Sequence, residues 1–379
     1  MKRLLLSAIV VFSALFALAQ DNEYYMLVGT YTSTRPGGSE GVYVYRFNTS
    51  TGESVKVSSV AIQNPSYLSV SPNEKYVYAV QEVDSKVQGG GQVSSFTFNK
   101  TDGRLTPVNT QSSGGNNPCY VQVDNTGKWV FVGNYSSGTL SVYSVNNDGS
   151  LGSPATIQHS GTGPNKQRQE GPHVHCTVIS PENKWLYVPD LGIDKVMIYK
   201  FDDKTGKLTN NAKDGFAAAE SGAGPRHITF APNKQFAYVI YELAGQVAAY
   251  QYKKGGLKLL QRISTIDTTQ MPNPGSADIH VSPDGKFLYA SNRGNLNNIA
   301  WYKIDPSSGK LTVAGFQSTL GKTPRNFNID PSGNYLLAAN QGSNEIVVFK
   351  RDKNTGALTD TGKRIPVGQP VCIKWVKIN

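Results

Sequence analysis

Apolar and polar residues alternate along most of this chain in short runs, and the runs recur in a fixed order. Lys286-Phe-Leu-Tyr-Ala-Ser-Asn292 is one such run. Ile299-Ala-Trp-Tyr-Lys-Ile304 follows it, and a Gly turn with a Leu, Gly309-Lys-Leu311, opens the next. Period-two alternation rich in Tyr, Val and Phe and bounded by Gly, Asn and Asp predicts strands. No long stretch carries a helical period.

The segment that opens each group repeats visibly. Pro65-Ser-Tyr-Leu-Ser-Val-Ser-Pro72, Pro225-Arg-His-Ile-Thr-Phe-Ala-Pro232, Ser276-Ala-Asp-Ile-His-Val-Ser-Pro283 and Pro324-Arg-Asn-Phe-Asn-Ile-Asp-Pro331 are copies of one unit. Weaker copies start at Pro118 and Val174. The residue after the opening position runs Ser66, Cys119, His175, Arg226, Ala277, Arg325 and Val371, in steps of 46 to 56 residues. Four short strands per unit of this length predict the blades of an all-β propeller. The last unit holds one strand, Val371–Ile378. The first segment supplies three, near Tyr25–Tyr31, Gly41–Phe47 and Val55–Ile62. Pairing the C-terminal strand with these N-terminal strands completes a seventh four-stranded blade and hides the open edges. Residues 24–379 are therefore expected to form a single seven-bladed β-propeller domain.

The first residues have a different pattern. Lys2 and Arg3 precede an apolar run from Leu4 to Leu18 that ends in Ala17-Leu18-Ala19. This reads as a signal peptide over residues 1–19, followed by a short tether at 20–23. The expectation is an exported protein, periplasmic or extracellular, with no membrane span after cleavage. Three cysteines, Cys119, Cys176 and Cys372, make a complete disulfide framework impossible. All three lie in apolar runs and read as buried small side chains. The net charge is +10, but the basic residues are scattered. Without a basic stripe no nucleic-acid partner is expected. The charge suits an anionic small molecule.

The repeat also shows where chemistry can sit. In a propeller the start of a blade's first strand and the end of its second lie at the same channel mouth. Residues that only hold the fold should resemble one another from blade to blade, and charged exceptions are candidates. The opening position carries His175, Arg226 and Arg325. The return position, at the end of the second strand, carries Tyr31, Glu82, Tyr135, Leu191, Glu242, Arg293 and Gln341, with Asp190, Asn292 and Asn340 beside it. Charged groups are thereby expected at one mouth. Arg226 with Glu242, or Glu242 with Arg293, could equally be plain ion pairs. His173 and His175 share a face at i and i+2 and could hold a metal with a third ligand such as Asp190 or His227, although no third ligand is spaced with them. His280 reads as structural and His159 as a surface residue. Asp202, Asp305 and Asp352 precede Gly turns. The connection Thr162–Gly171 is long for this fold and carries Lys166, Arg168 and Glu170, as loops over binding sites do. There is no P-loop, GxSxG elbow, HExxH or EF-hand loop.

Read together, several stretches resemble the propeller-type lactonases, a family that includes bacterial 6-phosphogluconolactonases and is related to fungal carboxy-muconate lactonising enzymes. They are Val28-Gly-Thr-Tyr-Thr32, Arg168-Gln-Glu-Gly-Pro-His-Val-His175, Val188-Pro-Asp-Leu-Gly192, Gly224-Pro-Arg-His227, Tyr241-Glu-Leu243, Ala277-Asp-Ile279, Ser291-Asn-Arg293 and Pro324-Arg-Asn-Phe327. The resemblance implies a seven-bladed propeller that opens a sugar or sugar-acid lactone, with catalytic positions at His175, Arg226, Glu242 and Arg293. Substrate-binding positions are expected at Arg168, His173, Asp190, His227, Arg325 and Glu82. It implies no metal and no organic cofactor, and a monomer is expected. An arginine would stabilise the oxyanion, and His175 or Glu242 would serve as general base, with His175 titrating near neutrality. A lactone-forming cycloisomerase and a non-enzymatic exported binding propeller are the alternatives. Export sits poorly with a cytosolic phosphorylated substrate.

Overall fold

A computed structural model describes residues 22–32, 38–86, 90–210, 215–267 and 275–378. The expected signal peptide lies outside them. Seven antiparallel sheets follow one another, each with its first strand innermost. The closing blade comprises Pro370–Lys377, Glu23–Thr30, Gly41–Asn48 and Ser54–Ala61. Glu23, the last residue of the expected tether, already belongs to its strand. Six further blades occupy residues 68–112, 118–158, 178–218, 225–264, 276–318 and 324–366. Two three-residue 3₁₀ turns, Leu191–Ile193 and Gln341–Ser343, complete the regular structure among the described residues.

The strand pattern explains this layering. Second strands such as Phe236–Tyr241 and Phe287–Asn292 are buried on both faces, because each blade is packed between two others. Outer strands such as Ser54–Ala61 face water along much of their length. Tyrosine hydroxyls tie neighbouring blades together. Tyr187 donates to the Gly255 carbonyl at 2.7 Å, Tyr238 to Gly309 at 3.0 Å and Tyr289 to Gly356 at 2.7 Å, each in the outer turn of the next blade. These turns are of the kind expected from Asp305, whose carboxylate accepts from the Ser307 and Ser308 amides. Gly309 has φ +69°, and a Cβ there would stand 2.3 Å from the Phe236 ring, so both conformation and space demand glycine.

One irregularity aims side chains into the channel. At the opening position of several blades the register skips one residue. Pro118 and Tyr120 pair with Asn134 and Gly133, which leaves Cys119 out of the ladder. Arg226 is skipped between Pro225 and His227, and Arg325 between Pro324 and Asn326. Such bulges turn a side chain away from the pleat. The fourth blade departs furthest. Its first strand is only Val178–Ile179, so His175 sits in an extended segment anchored by its amide to the Pro189 carbonyl at 3.0 Å.

The expected burial of all three cysteines is found, and each is a free thiol. His159 differs from its expected surface position. It is buried, with Nδ1 2.7 Å from Asp190 Oδ2 and Nε2 2.9 Å from the Tyr199 hydroxyl. Its polar neighbours in sequence concealed the Asp–His–Tyr contact that holds it inside.

Candidate active site at the channel mouth

The bulged opening positions and the return positions converge on a cavity of about 260 Å³. Cys119, His175 and Arg325 reach it from the first, and Tyr31, Glu82, Tyr135, Glu242 and Arg293 from the second. Arg168 completes the lining from the loop.

Glu242 is the hub. Its Oε1 accepts from Arg168 Nη2 at 2.6 Å, and its Oε2 lies 2.8 Å from Arg293 Nη2 and 2.9 Å from Arg226 Nε. The Arg226 Nε contact is ionic rather than an aligned hydrogen bond, because that N–H does not point at the carboxylate. Burial opposes ionisation of Glu242, but Arg293, Arg226 and Arg168 outweigh it and hold the carboxyl well below the usual carboxylate range. Arg226 is fully buried behind Glu242 and does not line the cavity. Burial draws Arg293 down to about 10 against the pull of Glu242, which leaves it protonated at neutral pH. Its Nε is fixed on the Gly275 carbonyl at 2.8 Å.

Arg325 is placed differently. Its guanidinium lies over the Tyr31 ring, 5.6 Å from the centroid, and among the described residues no carboxylate comes within ion-pair distance of it. Tyr31 in turn donates to Glu82 Oε2 at 2.8 Å. His175 stands between Cys119, whose sulfur is 3.7 Å from Nδ1, and the Tyr135 ring. Burial first, then Arg226, His227 and Arg325, push its pKa well below that of free histidine. The expectation that His175 titrates near neutrality is therefore corrected: burial and three neighbouring positive or potentially positive groups keep it a neutral imidazole.

The structure brings together His175, Arg226, Glu242, Arg293, Arg168, Arg325 and Glu82. It places His173, Asp190 and His227 outside the cavity. His173 stacks on Tyr135 at 4.4 Å and donates from Nδ1 to the Tyr135 carbonyl at 3.0 Å. Asp190 accepts from the amides of His173 at 2.7 Å and Gly192 at 3.0 Å, and so shapes the loop. His227 faces a second channel cavity of about 180 Å³. Among the described residues no three His, Cys, Asp or Glu side chains group as a metal site. Cys119, Tyr31 and Tyr135 line the cavity without having been singled out. Their signal was present, since they hold opening and return positions, but an uncharged residue there looks like any other blade's.

The model of the seven-bladed β-propeller lactonase family matches residues 25–375. This chain belongs to that lactonase family. The 6-phosphogluconolactonase of Formosa agariphila is 40% identical, over 88% of this chain and 94% of its own. That of Bacillus subtilis is 38% identical, over 93% and 99%. Two solved structures superpose with a TM-score of 0.88. One is from Bacteroides fragilis, at 41% identity over 94% of this chain and 99% of that one. The other is a periplasmic gluconolactonase of Pseudomonas aeruginosa, at 33% identity over 94% and 100%. The lactonase reading of the sequence thus holds over almost the whole propeller.

Proposed function

We propose that the protein is exported and hydrolyses a sugar or sugar-acid lactone at the channel mouth. The observation that carries this reading is the cavity's charge layout: Arg168 and Arg293 share Glu242, Arg325 has no carboxylate, and a neutral His175 stands among them. A cavity of this size suits a small polar ligand.

Water attacks the ring carbonyl and gives its proton to His175. Charge developing on the carbonyl oxygen is stabilised by Arg168 and Arg293, which reach the cavity. As the tetrahedral intermediate collapses, the ring C–O bond breaks and the leaving oxygen takes the proton from His175. The sum is addition of one water molecule. Both Glu242 oxygens are occupied by guanidinium groups, so it does not take the proton in the first step. Its part is to hold three guanidinium groups in place. Arg325 takes the carboxylate or other anionic group of the substrate, because a half-buried cation with no carboxylate of its own gains most from one.

Relatives named as 6-phosphogluconolactonases and a periplasmic gluconolactonase support the substrate class, and the Lys2-Arg3 leader supports export. The test is lactone opening by the mature protein on gluconolactone, its 6-phosphate and carboxylated lactones, each corrected for spontaneous hydrolysis. A rate above background that His175→Ala abolishes is expected. A folded protein that accelerates none of them overturns the reading.

A further inference from the structure

Behind Glu242 the polar contacts continue away from the mouth. Arg226 Nη1 donates to the Ala277 carbonyl at 2.6 Å and lies 3.3 Å from His227 Nε2. A guanidinium nitrogen only donates, so His227 Nε2 must offer its lone pair. The proton of a neutral imidazole is then on Nδ1, and Nδ1 lies 2.8 Å from Asp278 Oδ1. His227 is neutral, since burial, with Arg226 next, holds it down to about 4 against the opposing pull of Asp278. Asp278 is almost fully buried. Its Oδ2 is 2.9 Å from His280 Nε2 and accepts from the side-chain Nδ2 of Asn326. The Asp278 segment thus grips Arg226 twice, through the Ala277 carbonyl and through His227. It does so from an irregular stretch between Ser276 and Ile279.

We infer that Asp278 and His227 are positioning residues: Asp278 fixes the tautomer of His227, His227 fixes the guanidinium of Arg226, and Arg226 fixes Glu242 with its cavity arginines. Neither touches the cavity where substrate is proposed to bind. The kinetic consequence rests on the proposed hydrolysis, whereas the tautomer does not. The arrangement gives His227 and Asp278 a purpose that their place beside the second cavity leaves unexplained.

In the Asp278→Asn variant the one remaining oxygen is held by Asn326 Nδ2, whose own oxygen is fixed by the Ile373 amide, so the new NH2 group faces His227 Nδ1 and the imidazole loses its acceptor. The Nε2–H form then becomes populated and sets a donor against a donor, so Arg226 is released. A misplacement of this kind costs about 100-fold in rate. The His227→Gln variant keeps one acceptor for Arg226 and one donor for Asp278, and should retain activity within a few-fold. The His227→Leu variant should lose as much as Asp278→Asn.

The experiment has two arms. Nitrogen-15 NMR of histidine-labelled protein should show His227 protonated on Nδ1 in the wild type and shifted toward Nε2–H in Asp278→Asn. Kinetics of Asp278→Asn, Arg226→Lys and the double variant should show that the second change adds little to the first. Nε2–H in the wild type overturns the inference, as do losses that multiply or a His227→Gln variant as inactive as His227→Leu. If the wild type opens no lactone, the proposed function fails while the NMR arm still decides the tautomer. If Asp278→Asn does not fold, the wild-type spectrum and the two His227 variants decide in its place.

Discussion

Arg168 Nη2 donates to Glu242 Oε1 at 2.6 Å although 74 positions separate the two residues. The loop that joins the third and fourth blades thereby completes a site on the fifth. Arg226 and Arg293 reach Glu242 from blade strands or their ends, whereas Arg168 depends on a loop. That loop is pinned at the next residue: Gln169 Nε2 donates to the Leu191 carbonyl at 2.9 Å and to Asp194 Oδ1 at 2.8 Å.

Replacing Arg168 by alanine should therefore separate activity from stability. The guanidinium is 41% exposed, so its ion pair adds little to folding. Gln169 keeps the loop in place. The expected result is a loss of about 100-fold in kcat/KM, as for one missing oxyanion donor, with Tm nearly unchanged. Steady-state kinetics and thermal melting on the same sample check it.

Glu242→Gln should behave in the opposite way. It leaves Arg226 buried without a counter-charge, a loss of about 3 kcal/mol in stability. The folded-state pKa of Glu242 is depressed, so its contribution is complete above the ordinary glutamate pKa of about 4.3 and is lost as pH falls below it. Denaturant unfolding at pH 7 should show the difference between variant and wild type, and the difference should shrink toward pH 3.

The pH dependence of the rate tests the state of His175. Its depressed pKa predicts no inflection in kcat/KM near pH 6.5, and a fall only at more acid pH. The same shift acts on stability. Below about pH 6.5 the unfolded chain takes up protons that buried His175 and His227 do not, so stability must fall as pH falls. An enzyme profile with a single midpoint at 6.5 would refute the assignment.

Two further changes probe the ring. Removing residues 370–379 takes away the inner partner of Glu23–Thr30, from Tyr24 opposite Lys377 to Thr30 opposite Pro370. The truncated chain should lose its cooperative unfolding transition in circular dichroism. Tyr238→Phe removes only the hydroxyl bonded to Gly309 and should cost about 1 kcal/mol, measured by urea unfolding.

The propeller was legible because its cause is local. Alternation, Gly turns and the repeated Pro-bounded segment each act over a few residues, and their sevenfold recurrence leaves little freedom in the fold. The charged part of the site was legible for the same reason, since register alone carries Glu82, His175, Arg226, Glu242, Arg293 and Arg325 to one mouth. Long-range contacts were not legible. His159 looked exposed because Asp190 and Tyr199 are 31 and 40 positions away. His173 and Asp190 carry the residue types of a binding site, yet they are engaged by the backbone around Tyr135 and Gly192 and by the His159 side chain. His227 directly follows Arg226, so alternation alone puts the two on opposite faces, and it was the resemblance that counted His227 with the mouth. The structure turns His227 to the second cavity and buries Arg226 behind Glu242. The neutrality of His175 depends on three charged or chargeable neighbours from other blades, which no local pattern reveals.

The pairing of Glu23–Thr30 with Pro370–Lys377 also sets a timetable. A ribosome makes the innermost strand of the closing blade last, after the other described strands have been made. Until then the strand Glu23–Thr30 waits with one side unpaired, and the mouth cannot take its final shape. Tyr31, whose amide donates to the Gln369 carbonyl and whose ring lies under Arg325, thus reaches its working position only when that strand has paired. A chain interrupted anywhere before its last strand should carry an open edge and no organised mouth, whatever the state of its individual blades.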